Sequence, residues 1–255
     1  MKVIFLGSGT SQGVPVIGCT CEVCTSVDYH DKRLRASIFI EYQGLHLVID
    51  TGPDFRQQML RERIRKLDAL LFTHAHKDHT AGLDDIRSFN FLQRKDMPIF
   101  GEEMVLDQLQ KEFSYIFAAN KYPGVPRVEL NEITNSPFEV NGKKVLPIRV
   151  MHYKLPVLGF RLGDFTYITD ANHISDEEKE KIKGSKVVVL NALQKTEHIS
   201  HFTLDEALEI MSELQPEKGY LTHISHKLGL HAEVSKELPS NVELAWDGLK
   251  INLDD

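Results

Sequence analysis

The segment Thr73-His74-Ala75-His76-Lys77-Asp78-His79 follows directly on the apolar run Ala69 to Phe72 and constrains this chain more than any other stretch. Four side chains able to ligate a metal fall within six residues, His74 to His79. On a helix these spacings point in different directions, whereas a turn at the carboxyl end of a strand brings them into one cleft. Imidazole nitrogens mixed with carboxylate oxygen form a donor set that suits zinc, manganese or iron. Local hydrogen bonding explains an isolated histidine but not a cluster this dense. The fold must therefore offer a buried strand that ends at an open cleft, with further ligands from neighbouring elements.

Three more residues of the right type lie just past other apolar runs. His152 follows Val145 to Val150, Asp170 follows Phe165 to Thr169, and His223 follows Tyr220 to Thr222. Each alone reads as a surface or capping residue; their common position past a strand end raises them together. Val3 to Leu6, Ser37 to Tyr42, Leu45 to Asp50 and Lys186 to Leu190 also read as strands, with turns at Gln43-Gly44 and Gly163-Asp164. Helices are expected at about 53 to 66, with Pro53 in its first turn, and near 83 to 94, 102 to 113, 176 to 183 and 203 to 215. Tight turns between strands call for antiparallel pairing, and interspersed helices need sheet faces to cover. The expectation is a layered α/β chain of sheets covered by helices. A doubly wound parallel fold fits less well. Gly7 and Gly9 after a strand resemble a dinucleotide fingerprint, but the third glycine comes one residue late at Gly13, and Pro15 opposes a helix there.

Of the 255 residues, 42% are hydrophobic, enough for a full core, and no Ser/Gly-rich linker divides residues 1 to 255 into separate domains. The 30 Lys and Arg against 37 Asp and Glu leave a net charge of -7, which disfavours a nucleic-acid partner. Arg61, Arg63, Arg65 and Lys66 read as a solvated helix face. No apolar stretch nears the ~20 residues of a membrane span, so no membrane partner and a cytoplasmic location are expected. All three cysteines lie in Cys19-Thr20-Cys21-Glu22-Val23-Cys24, too few and too close for a disulfide framework. Thiolate metal ligation explains them, with three buried inert thiols as the alternative. His-Ile-Ser-His occurs twice, at 198 to 201 and 223 to 226. The aromatic stretch 113 to 127 reads either as a lid or as satellite core, and His30, His46, His173 and His231 as surface or capping residues.

Taken together these motifs resemble the metallo-β-lactamase superfamily. Thr73 to His79 matches its His-x-His-x-Asp-His motif. The opening Leu6-Gly7-Ser8-Gly9-Thr10-Ser11-Gln12-Gly13-Val14-Pro15, the cysteine cluster and Ser200-His201-Phe202-Thr203 narrow the resemblance to PhnP-type phosphodiesterases, relatives of tRNase Z. The resemblance implies a four-layer αββα sandwich of two mostly antiparallel or mixed sheets flanked by helices, and a dinuclear centre of two divalent metals, zinc or manganese. One would take His74, His76 and His152, and the other Asp78, His79 and His223, with Asp170 and a hydroxide bridging them. It makes Asp50 a buried aspartate that orients the ligand loop. Asp78, Asp170 and His201 become the catalytic residues, His201 contacting the reacting phosphate. Cys19, Cys21, Cys24 and His226 become the ligands of a structural zinc. The implied reaction is hydrolysis of a small, cyclic phosphodiester by a monomer or homodimer. The alternatives are tRNA 3′ processing, for which the long basic arm is not evident, a glyoxalase II-like thioesterase, and a metal-binding scaffold without turnover.

Overall fold

Strand formation follows the apolar runs. The computed structural model describes residues 1–253. One sheet contains β1 (Lys2–Gly7), β2 (Ser37–Tyr42), β3 (Leu45–Ile49), β4 (Ala69–Leu71), β5 (Met97–Gly101), β6 (Val128–Glu132) and the late strand β14 (Lys250–Asn252), in the order β14-β1-β2-β3-β4-β5-β6. The other contains β7 (Phe138–Val140), β8 (Lys143–His152), β9 (Leu155–Leu162), β10 (Phe165–Tyr167), β11 (Val187–Asn191), β12 (Lys218–Thr222) and β13 (Val242–Leu244), in the order β13-β12-β11-β10-β9-β8-β7. Both sheets change character at the same point. Pairing is antiparallel from β14 to β3 and from β7 to β10, then parallel from β3 to β6 and from β10 to β13. The two halves of the chain thus repeat one topology that no repeated sequence announces.

The antiparallel half needs only tight turns. Gln43-Gly44 (φ 49°, 81°) and Asn141-Gly142 (φ 48°, 74°) are left-handed at both positions, as the two-residue hairpin requires. The parallel half needs crossovers, and each carries a helix. Phe55–Glu62, Arg87–Gln93 and Glu103–Glu112 cover the first sheet; Asp176–Ile182, Leu204–Leu214 and the short His231–Val234 cover the second. Val3, Phe5, Ile38, Leu47 and Leu71 meet Leu158, Phe160, Tyr167 and Val189 between the sheets. Two further cores lie outside them, Phe55, Phe72, Ile86 and Leu109 on one side and Ile182, Leu190, Ala207 and Met211 on the other. The result is the helix-sheet-sheet-helix sandwich expected from sequence.

Some expectations need correction. The helix expected over 53 to 66 stops at Glu62, because Arg63 turns left-handed (φ 55°) and its N–H bonds Leu60 O, while Pro53 precedes the helix. The expected 83 to 94 helix begins as a 3-10 turn, Leu83–Ile86. In the aromatic stretch Phe113 and Ile116 pack into the outer core, and Tyr115 Oη donates to Asp84 Oδ1 at 2.5 Å. Among the described residues no helix is long and apolar enough to cross a membrane.

Candidate metal centre

The residues past β3, β4, β10 and β12 converge at one edge of the sandwich, where each sheet changes from antiparallel to parallel pairing and its loops diverge. The His74–His79 turn is held from below by Asp50, which has no solvent exposure. Asp50 Oδ1 accepts from Thr73 N (2.9 Å), and Oδ2 accepts from Thr73 Oγ1 (2.8 Å) and His79 Nδ1 (2.7 Å). With its proton given to Asp50, the Thr73 hydroxyl oxygen accepts from His74 Nδ1 at 2.9 Å. One carboxylate therefore sets the tautomer of two histidines and turns both Nε2 atoms toward the cleft. On the far wall His152 Nδ1 donates to Ser200 O at 2.8 Å, which frees its Nε2 as well. Close backbone packing locks the turn: a Cβ on Gly52 would stand 2.1 Å from Asp78 O, so no other residue fits there.

The seven histidines and aspartates singled out in sequence come together in two groups. His74, His76, His152 and Asp170 form one; Asp78, His79, Asp170 and His223 form the other; within each, one ligand atom per residue lies within 4.8 Å of the rest. Asp170 belongs to both. Its Oδ1 is 3.2 Å from His223 Nε2, and its Oδ2 is 3.4 Å from His79 Nε2 and 3.8 Å from His74 Nε2. His76 Nδ1 sits 3.0 Å from His74 Nε2, two nitrogens brought together as ligands of one cation are. His79 Nε2 and both ring nitrogens of His223 are buried with no hydrogen-bond partner. Such orphaned atoms are costly in a native core, and a divalent cation satisfies them, so the residues present fit a metal centre.

Charge in this cluster points the same way. Burial pushes His74 well below the ordinary histidine range. Burial also acts against a charged His79, but Asp170, Asp78 and Asp50 outweigh it and raise that pKa far above the usual value. Asp170 and Asp78, though buried, are held far below the carboxylate range by His223 and His79. Asp170, Asp78 and Asp50 thus favour positive charge at His79, as a bound cation would supply. The geometry is held at some cost. Asp50 (φ 64°), Asp170 (φ 53°) and His223 (φ 54°) are all left-handed, a conformation costing of order 1 kcal/mol for a non-glycine residue.

His201 stands beside this arrangement and outside both groups. Its ring stacks on His223 with centroids 4.7 Å apart, and lies 4.6 Å from that of His152. Burial, reinforced by His223, lowers its pKa to about 3, so the ring is neutral at pH 7. Thr203, two residues on, caps the Leu204–Leu214 helix in a reciprocal box with Glu206, fixing where the His201 loop ends.

A separate cluster forms at Cys19, Cys21 and Cys24, whose Sγ atoms lie 3.3, 3.4 and 3.4 Å from His226 Nδ1. The Cys24 N–H and then His226 lower the Cys21 thiol to about 6, while burial raises Cys24 to about 11. All four ligand atoms lie within 4.8 Å of one another, the donor set and spacing of a closed tetrahedral zinc. The cluster is joined to the other centre through the two residues Ile224 and Ser225. Between His223 and His226, Ile224 N donates to Ser8 O (2.9 Å) and Ile224 O accepts from Thr10 N (3.1 Å).

Several contributors left no clear signal in sequence. Ser200 acts through its carbonyl, which every residue possesses. His30, His46 and His231, expected at the surface or as caps, are partnered instead. His46 Nδ1 is 3.1 Å from Asp68 Oδ2, and His231 contacts Arg33 Nη2 at 3.1 Å and stacks on His30 at 4.6 Å.

Comparison with known proteins agrees with this geometry. The family model described as the beta-lactamase superfamily domain matches residues 46–224. A solved diphosphatase from the PhnP family is 41% identical, superposes with a TM-score of 0.92, and the alignment covers 99% of this chain and 98% of that one. The chain belongs to the PhnP family. It is thereby a member of a metallo-hydrolase superfamily whose fold and metal-ligand clusters it carries. This PhnP-family chain is also 40% identical over 258 residues to a protein of Porphyromonas gingivalis named octanoyltransferase, matching along its whole length but spanning only 52% of that relative. Human tRNase Z, short form, shares the fold at 17% identity, with a TM-score of 0.72 and both chains covered in full.

Proposed function

We propose that this chain hydrolyses small phosphodiesters, cyclic ones among them, with two divalent cations of zinc or manganese. His74, His76 and His152 would hold one and Asp78, His79 and His223 the other, with Asp170 shared. The observation that carries the reading is the pair of ligand groups meeting at Asp170 with the non-ligand His201 against their rim. When bound, such cations supply Lewis acidity and lower the pKa of a water between them. The remaining work falls to the protein. Asp50 and Thr73 hold His74 and His79 in ligand tautomers, and Asp170 with Asp78 offsets cationic charge. The site thus becomes locally positive within a chain of net charge -7, as an anionic substrate requires. His201, neutral and buried, donates a hydrogen bond to the phosphoryl or departing oxygen, stabilising charge as it develops. Cys19, Cys21, Cys24 and His226 would hold a structural zinc that anchors the His223 loop.

A second reading has its own support: the similar PhnP-family structure is described as a diphosphatase. A phosphoanhydride is attacked at the same phosphorus and differs in its leaving group, a phosphate that departs without needing a proton. A panel separates these readings. Metal-reconstituted protein is assayed on bis-p-nitrophenyl phosphate, cyclic nucleotides, a dinucleoside diphosphate, a thioester and pre-tRNA. The proposal expects the phosphodiesters to lead; a lead for the anhydride establishes the second reading, and a lead for the thioester or pre-tRNA refutes both.

A further inference from the structure

The three sulfurs of the cysteine cluster differ in how far solvent reaches them. Cys19 and Cys21 are partly exposed, whereas Cys24 is buried at 6% exposure. Cys21 and Cys24 stand three residues apart on one turn, closed where Thr25 N donates to Cys21 O at 3.0 Å, so their side chains share a face. The Cys24 N–H bonds Cys21 Sγ at 3.5 Å, and Val16 N bonds Cys24 Sγ at 3.4 Å. An outer sulfur that accepts a backbone N–H, with an inner sulfur in reach, is the arrangement of a C-x-x-C redox pair. The two Sγ atoms already lie within 4.8 Å of each other, on a turn that a disulfide can span.

What this cluster holds is the aim of His223. Three histidines of the metal centre are oriented through their other ring nitrogen, His74 by Thr73 Oγ1 at 2.9 Å, His79 by Asp50 at 2.7 Å and His152 by Ser200 O at 2.8 Å. His223 has no hydrogen-bond partner on either nitrogen. Its direction therefore depends on stacking against His201 and on its own left-handed backbone (φ 54°). That backbone is fixed by Ile224, bonded to Ser8 and Thr10, by Ser225 N donating to Leu193 O at 3.0 Å, and by His226 among the sulfurs.

We propose that Cys21 and Cys24 form a reversible oxidation site, and that closing their disulfide expels the zinc, loosens His223 and weakens the metal His223 shares with Asp78 and His79. The oxidant is a hydroperoxide, hydrogen peroxide in the simplest case. The Cys21 thiolate attacks one peroxide oxygen, breaks the O–O bond and becomes a sulfenic acid as hydroxide leaves. The Cys24 thiolate then attacks that sulfur, forming the S–S bond and expelling a second hydroxide. Two thiolates lose two electrons, the peroxide gains them, and two solvent protons turn the hydroxides into water. Only Cys19 and His226 then remain as donors, too few for a closed tetrahedral zinc, and the ion leaves unchanged in oxidation state. The inference rests on the reading of this cluster as a zinc site.

Protein carrying manganese in the cleft and zinc at the cysteines is treated with hydrogen peroxide. Released zinc is read with a chromogenic chelator, free thiols are counted, and peptide mass mapping locates the oxidised pair. About one zinc per chain should leave as two thiols disappear, with Cys21 joined to Cys24 and Cys19 free. Manganese titration of the oxidised protein should show one of the two cleft sites weakened by about 10- to 100-fold, the scale of losing a partner that orients a ligand. Dithiothreitol with added zinc should restore thiols, zinc content and manganese affinity. Cys21→His, which keeps a metal donor but cannot form the disulfide, should hold its zinc at the same peroxide dose. Thiols and zinc that survive excess peroxide, oxidation to sulfinic acid in place of the disulfide, or a disulfide that includes Cys19 would overturn the pair. A Cys21–Cys24 disulfide that leaves both manganese affinities intact would overturn the link to His223. Failure of the zinc reading shows separately, as protein whose cysteine cluster takes up no zinc before any oxidant is added.

Discussion

At the residue scale, the roles of ligand and non-ligand separate cleanly. His201 packs on ligands but belongs to neither ligand group, so His201→Ala should retain metal while kcat falls by ~10² to 10⁴, the usual loss for one such donor or general acid. Asp170→Ala should lose metal along with rate, since both groups share that carboxylate. Elemental analysis beside kinetics distinguishes the two; metal loss in His201→Ala would make His201 a ligand. If its hydrogen bond goes to the departing oxygen, the variant should suffer more on an alkyl ester than on a nitrophenyl ester, whose leaving group hardly needs protonation. The ligand turn was legible because six residues concentrated four ligands, whereas Asp50 was reached only through the family resemblance. Ser200 was not legible, since a carbonyl carries no residue signature, and neither was the partnership of His231 with Arg33, which lies 198 residues away.

At the scale of elements, two loops couple structure to site. The cysteine cluster and His223 share the short segment His223 to His226, whose Ile224 hydrogen-bonds to Ser8 and Thr10. Cys21→Ser should therefore remove one of about three metals per chain and lower both Tm and activity, because a structural zinc contributes directly to folding. Unchanged metal content with full activity would show the cluster to be idle. A second coupling is titratable. Burial, then Arg33 and His30, lowers the His231 pKa from 6.5 to about 4, so between these values the unfolded chain binds the proton that the folded chain excludes. Stability should then rise with pH across that window, and His231→Phe should flatten part of the rise in chemical denaturation. Parallel slopes in the two proteins would contradict it. The strands bounded by tight turns were readable, whereas β5 hides behind Pro98, and the half-exposed β6 and three-residue β13 and β14 offer too little apolar pattern.

At the scale of the molecule, alternation of tight turns and crossovers made the layered architecture readable, but the repeat of topology between halves was not, because it resides in strand direction and not in residue identity. Whole-molecule charge bears on substrate. With a net charge of -7, the specificity constant for a small phosphodiester should exceed that for pre-tRNA by orders of magnitude, since polyanion binding relies on many cationic contacts. The reverse ranking would place the chain with the tRNA-processing enzymes. The central claim, that two ligand groups meeting at Asp170 act on phosphorus as one metal centre, is tested most directly by returning zinc or manganese to chelator-stripped protein while following hydrolysis of bis-p-nitrophenyl phosphate. Activity should climb until two equivalents are bound beyond the ion held by the cysteines, then level off. Full activity in the stripped protein, or none at any occupancy, would contradict it.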